Sequence, residues 1–493
     1  MNSNNKREER LRREAVKLRH QFVQGGRGGF SKVIPPERLK EVISAECKYY
    51  RDRLYSPLTT LRMFISQALS EDKACQDVLC RYLAERTAEG ALPSGLNTGA
   101  YCQARGRLPL QVPERLYQEV GDALERRMPK AWRWRKWRLK LFDGTTVSMP
   151  DTDENQAEFP QSSEQKPGLG FPVARIGGLI SLASGAVLQH AVAACKGKGT
   201  GEQTLLRGML PSLERDDLLL ADALLATWWI IADARAHGAD VLMPQHGRRL
   251  TNFTQGQQLG HRDHVVNWQR PLRPKEMPVE DYNRYPASIP VRECEIAGRV
   301  LVTTLLKPDM ASAKELDELY ALRWNIEVDW RIIKATMAMD VLRCLSPVMV
   351  RKEIAVHLLA YNLVRWTMAV AATLSHVLPR VLGFAGAKRT LLAFAEELRR
   401  SHRQRLAFMF ATVLAAIASM RLPQRPHRVE PRAKKRRPSL PLLTVPRNLA
   451  RENIRAKKAS RGLKVVPWEP ENHLAGLPPP RRWWAKVRFA NLL

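Results

Sequence analysis

Between Trp132 and Met243 the hydrophobic rhythm of the chain switches repeatedly between a period of two and a helical period, and this alternation restricts the fold more than any other feature. Residues 138–147 place Leu139, Leu141 and Asp143 on one side and Arg138, Lys140 and Phe142 on the other, the alternation of a strand. Two β-rich runs follow, 173–183 and 186–194, joined by Ser184 and Gly185, a dipeptide suited to a hairpin. GEQTLLRGMLPSL reads as a helix. Leu218 to Ala221 is short and wholly apolar, as expected of a strand buried on both faces. A helix over 224–237 and a short strand from Asp240 to Met243 complete the order β-β-β-α-β-α-β, which predicts an α/β unit.

The flanking regions differ in character. Residues 1–34 form a basic, polar, Gly-containing arm. From 35 to about 130, apolar residues recur at three and four spacings in ERLKEVISAECKYY, TTLRMFISQAL and QDVLCRYLAER, predicting several short helices. These suit a DNA-binding domain, and a bundle that only supports its neighbour fits the same pattern equally well. Residues 131–243 hold the β-α unit. Polar loops and β-like stretches over 244–310 read as a β-rich insertion. A strong helix begins at Ala313 and runs to about Met339 within a segment at 311–345. A helical region at 346–420 and a basic tail at 421–493 follow. Residues 421–464 of that tail carry 15 Lys and Arg against Glu430 and Glu452, with several prolines, which predicts an extended chain.

Charge narrows the partner. The chain has 80 Lys and Arg against 49 Asp and Glu, a net charge of +31 and a pI of about 10.3, so a polyanion, nucleic acid above all, is expected. Leu406 to Met420 is an uncharged run of 15 residues, shorter than the roughly 20 needed to span a bilayer, and reads as a buried helix. The N-terminus lacks the apolar segment of a secretory signal, and seven cysteines without paired CxxC spacing read as reduced thiols in a cytoplasm. His261 and His264 have no thiolate partners nearby and read as surface residues rather than zinc ligands.

On the helix at 313–339, a uniform turn of about 100° per residue gathers Leu319, Leu322, Ile326, Trp330 and Ile333 into a core stripe. Tyr320, Arg323, Glu327 and Lys334 fall on one arc beside it. A solvated face with an Arg323–Glu327 pair at i,i+4 would look similar. The spacing Y-x2-R-x3-E-x6-K, however, resembles the signature of the fourth family of bacterial insertion-sequence transposases, whose catalytic domain is RNase H-like. The resemblance covers roughly residues 90–370, including SGLNTGAYCQARGRLP and QKPGLGFPVARIGGL, and is much weaker in the tails. It implies an RNase H-like mixed sheet with helices, a β-rich insertion before the last catalytic helix, and helical regions on either side. It also implies that Glu327 is the last metal-binding carboxylate and that Tyr320, Arg323 and Lys334 approach DNA.

Asp143, in LFDGTTVSMPD, resembles the family's first acid, expected near the C-terminal end of its strand. Asp222, directly after LLLA, resembles the second. Asp151 and Asp153 lie past Pro150 in a loop, and Asp216 and Asp217 precede the strand that Asp222 follows, so they rank behind. The family often has Arg after its second acid; here Ala223 stands there, which puts a DNA contact at that position in doubt. By this resemblance Asp143, Asp222 and Glu327 hold two ions, Mg²⁺ or Mn²⁺, for cleavage and strand transfer of double-stranded DNA by a homodimer on paired ends. Trp268, in VVNWQRP, is the expected aromatic for an unstacked base, against the plainer reading of a core Trp. The runs WRWRKWR at 132–138 and RRWWAKVRF at 481–489 suit stacking and phosphate contact, and a half-buried strand gives the same pattern. A non-catalytic DNA-binding derivative and another RNase H-like nuclease, such as a resolvase, are the alternatives.

Overall fold

The computed structural model describes residues 35–47, 50, 54–91, 95–423 and 445–460, with the isolated positions 9 and 13. The arm at 1–34 and the run at 481–489 therefore lie outside the described residues, the two isolated positions apart.

One nine-stranded sheet organises the larger unit. Its strands are β1 (Arg138–Ser148), β2 (Val173–Ser181), β3 (Val187–Ala194), β4 (Asp217–Leu220), β5 (Asp240–Pro244), β6 (Gln257–Gly260), β7 (Asp263–Gln269), β8 (Ser288–Ile296) and β9 (Arg299–Thr303). Their spatial order is β3-β2-β1-β4-β5-β9-β8-β7-β6. β1 pairs antiparallel with β2 and parallel with β4, and β4 pairs parallel with β5. The remaining pairings are antiparallel, so the sheet is mixed and open at both ends.

Both faces of the central strands are covered. Leu139, Leu141, Ile180, Leu218 and Leu220 join one core, which also takes in Leu116, Trp330, Ile333, Tyr361 and Trp366 from helices. Phe142, Leu179, Leu219 and Val241 join a second core with Leu205, Leu206, Trp228 and Ile231. The alternation of side chains along each strand divides the apolar residues between the two. Gly178 on β2 is what lets the first helical layer approach, since a Cβ there would lie 2.6 Å from the Trp330 ring.

The insertion at 244–310 builds no sheet of its own: β9 pairs with β5, and β8, β7 and β6 extend the central sheet outward. The helix Pro347–Leu374 is long and apolar enough to cross a membrane, yet its most apolar stretch is wholly buried, which makes it a core helix. The run at 406–420 falls in the helix Arg403–Ser419, with Leu406, Phe410, Val413 and Ile417 buried and Phe408 exposed.

Two expectations are corrected. The segment 313–339 is not one uniform helix: α-helix spans Ala313–Ala321, a 3₁₀ turn Leu322–Trp324, α-helix Asn325–Arg331 and a π-helix Ile332–Thr336. A constant 100° step therefore misplaces residues beyond Arg331. The tail is not extended throughout either, because Arg447–Ser460 is helical. Its Ala, Arg, Lys, Leu and Glu residues are good helix formers, and the prolines lie outside it. That helix belongs to a second, smaller unit formed by 163–170 and 431–493.

Candidate active site

The parallel pairing of β1 with β4 ends at Leu141 against Leu220. Beyond it β1 continues without that neighbour, and the chain leaves β4 through Ala221 and Asp222. Asp143 therefore sits in the middle of an eleven-residue strand, not near its end, but at the level where the sheet opens beside Asp222. It shares a face with Leu139 and Leu141 and pairs in register with Gly178, on which Trp330 packs. One oxygen of Asp143 accepts from the Gly144 N–H at 2.8 Å. Asp222 precedes a 3₁₀ turn yet makes no side-chain capping bond, so the ordinary role of an Asp after a strand is not the one it plays. Its Oδ1 is cut off from solvent with no hydrogen-bond donor.

The opposing helix brings the other groups. Ser312 and Glu315 form a capping box that starts it. Arg323 donates to Glu327 at 2.9 Å and lies 3.8 Å from the second oxygen of Asp143, so one guanidinium links the two carboxylates. Tyr320 is buried beside Arg323, with Arg299 over its ring at 5.0 Å. Two residues beyond Glu327, Asp329 turns inward and accepts from Arg365 at 2.6 Å, Tyr361 at 3.2 Å and Arg380 at 2.8 Å. This pins the helix to the core. Lys334 lies half-buried in the π segment, and among the described residues no ion pair joins it to Asp143, Asp222 or Glu327.

A fourth acid, which the sequence reading passed over, completes the cluster. Glu202 opens the helix Glu202–Met209 on the other side of β1, and a Cβ on Gly144 would lie 2.3 Å from its Oε1. In sequence it is an acid in a first helical turn, indistinguishable from one that merely complements the helix dipole. The acids sense one another. Asp143 is pushed up to about 6, first by burial and then by Glu202 and Asp222, against the Gly144 N–H and Arg323. Glu202 is also raised, by burial and then by Asp222, with Arg175 opposing. Tyr320 is raised by burial and Asp222, against Arg323 and Arg299.

Crowded carboxylates in partly buried positions favour a cation. An all-oxygen donor set with an unpartnered Asp222 oxygen suits a hard divalent ion. Among the described residues no three His, Cys, Asp or Glu side chains come close enough to enclose a metal ion. The acids are gathered but open, and Arg323 supplies the positive charge between Asp143 and Glu327.

Other expectations fare differently. Trp268 is 2% exposed, donates to Glu293 at 2.8 Å and carries the Arg249 guanidinium 3.5 Å from its ring centroid. It is a core residue and offers no face to a base. His264 is likewise buried, not a surface residue, with its ring nitrogens 2.7 Å from the Gln255 carbonyl and 3.0 Å from Glu293. Asp217 pairs with Arg138 at the opposite end of β4 from Asp222. In the 132–138 run, Trp137 is buried and donates to Asp240 at 2.9 Å, and Arg135 is held by the Asp309 carbonyl and Glu315. Trp324, the residue after Arg323, is 55% exposed.

A family model described as a transposase DDE domain matches residues 135–363, the span that carries all four acids. The chain is 26% identical over 352 residues to the transposase InsG of insertion sequence element IS4 from Escherichia coli K12, covering 69% of this chain and 76% of that protein. It is 37% identical over 70 residues to the putative transposase InsL of insertion sequence element IS186A from the same strain, covering 14% of this chain and 19% of that one. The piggyBac transposase synaptic complex with hairpin DNA, at a TM-score of 0.37 and 6% identity over 81% of this chain and 85% of that one, is too distant to bear on the fold. The matched span carries a transposase DDE domain, and the chain is similar to bacterial insertion-sequence transposases. It is a DNA transposase, and DDE transposases use divalent metal ions.

Proposed function

We propose that Asp143, Asp222 and Glu327 are the catalytic acids of an RNase H-like core, holding two divalent ions, Mg²⁺ or Mn²⁺, for cut-and-paste transposition. The observation that carries this reading is the junction of the three at one opening in the sheet. Asp143 and Glu327 share Arg323, and Asp222 sits within electrostatic reach of Asp143 with a buried, unpartnered oxygen. The order β3-β2-β1-β4-β5 with helical cores on both faces supports the RNase H-like assignment.

When bound, the ions activate the attacking water or 3′-hydroxyl and stabilise the leaving oxygen of an in-line displacement. The chain's own groups do the rest. Asp143, Asp222 and Glu327 supply carboxylate oxygens from three elements fixed by the sheet and by the Asp329 anchor. Arg323 turns its planar fork from the acids to a phosphate, and Lys334 adds a point charge. Tyr320 donates its hydroxyl to the DNA backbone. Trp324, exposed and next in sequence to Arg323, stacks on an unstacked base in this reading. The substrate is double-stranded DNA bearing the element's inverted repeats, paired by a homodimer in the bacterial cytoplasm. The helical region at 35–130 and the basic tail at 421–493 add phosphate contacts suited to the +31 charge.

The test is a plasmid carrying the element's two ends, incubated with the protein and Mg²⁺. Breaks at the ends followed by joining to target DNA are expected. Cutting of branched DNA without joining points to a resolvase-like nuclease, and end binding without Mg²⁺-dependent cutting points to a non-catalytic derivative; either result contradicts the proposal.

A further inference from the structure

We propose that Glu202 is a fourth carboxylate of the metal site, reaching it from the opposite face of β1 through the gap left by Gly144; this rests on the three-acid reading above. Gly144 has no side chain, and the Glu202 carboxylate occupies the space one would take: an added Cβ would lie 2.3 Å from Oε1, 2.7 Å from Cδ and 2.9 Å from Cγ. The glycine beside Asp143 is thus a cradle for an acid delivered by another element. Asp143 points to the face of Trp330 and Glu327, and Gly144 to the face of Leu205 and Glu202, so acids approach the open edge of β1 from both sides.

Among the described residues the Glu202 carboxylate takes part in no ion pair or hydrogen bond, and the Arg175 guanidinium that opposes its charge is engaged with the Thr200 carbonyl at 3.0 Å. Arg323 serves Asp143 and Glu327 on the far face. Among the described residues Glu202 is left without a cation of its own, and the Asp222 Oδ1 is buried without a donor. A carboxylate meant only to complement a helix terminus has no reason to lean over a glycine toward two other acids. A divalent ion bound by Asp222 and Glu202 would resolve the imbalance.

The experiment is a calorimetric Mn²⁺ titration of the full chain, with Mn²⁺ electron paramagnetic resonance to count bound ions. Glu202→Gln is expected to weaken one ion at least tenfold and to shift the Mn²⁺ dependence of end cleavage to higher concentration, with an unchanged unfolding midpoint. Gly144→Ala, which displaces the carboxylate, should do the same while keeping all four acids. Wild-type Mn²⁺ binding by Glu202→Gln, alongside weakened binding by Asp143→Asn and Asp222→Asn, overturns the role of Glu202 and leaves the three-acid site standing. Unaltered binding in all of these variants and in Glu327→Gln overturns both.

Discussion

Glu327 and Asp329 lie two residues apart on one helix and are treated in opposite ways. Asp329 is buried and accepts hydrogen bonds from two arginines and a tyrosine. Glu327 is about one-third exposed and, among the described residues, has a single partner, which it shares with Asp143. Across the opening, Asp222 keeps a buried oxygen with no partner. Folded proteins satisfy nearly all their buried polar groups, so Asp329 follows the rule for stability and Asp222 departs from it. The inner side of the helix holds position; the outer side holds unresolved charge that a ligand must answer.

The contrast can be broken by exchanging stability for function. The largest effect is expected at Glu327. Glu327→Gln should lower metal-dependent cleavage by more than the roughly 10–100-fold typical of losing a supporting partner of a metal ligand, with little change in denaturant midpoint. Asp329→Ala should do the reverse in kind, costing about 3–5 kcal/mol in denaturant unfolding because Arg365 is left buried and unpaired. A loss no larger than that of a surface substitution would remove the anchor from the account.

Three further substitutions probe the same contrast at smaller scale. His357 is buried and His190 half-buried; both are held neutral, lowered to about 3 and about 4, chiefly by loss of solvation. In the unfolded chain they take up protons near 6.5, so stability is full above that value and falls as pH drops toward 4. Each contributes about 1.4 kcal/mol per pH unit in that window. Replacing His190 by Phe should flatten this acid limb in a urea titration run at several pH values; an unchanged slope would exclude it. Asp222→Asn, which removes a charge from the acid cluster, should raise metal-free stability by on the order of 1 kcal/mol, and a drop would mean that Asp222 is a structural group after all. Smallest in its consequence for DNA is Trp268→Phe, which withdraws a donor from Glu293. It should cost about 1–3 kcal/mol and leave end cleavage unchanged once the protein is folded.

The strands of the central sheet were legible because their signals are local. The alternation at 138–147 and the apolar run at 218–221 match β1 and β4 within a residue or so. The pairing partner was not: periodicity marks β9 as a strand but cannot say that it docks on β5 and prolongs the sheet. The Y-x2-R-x3-E-x6-K spacing pointed to Arg323 and Glu327, whose link to Asp143 the folded chain displays. The same spacing misjudged the helix beyond Arg331, where the turn widens. Glu202 was invisible for another reason, since its neighbour is a glycine 58 residues earlier, and only tertiary packing reveals that the missing side chain is the point. Trp268 was misread because an aromatic in a β-rich insertion carries no mark of which way it faces.

The most direct test of the central claim uses one preparation of Glu327→Gln for two measurements, Mg²⁺-dependent cleavage at the element's ends and the unfolding midpoint. Cleavage should be lost while the midpoint and end binding stay at wild-type values. Retained cleavage, or a loss explained by an unfolded protein, would contradict the assignment of Glu327 to the chemistry rather than to the fold.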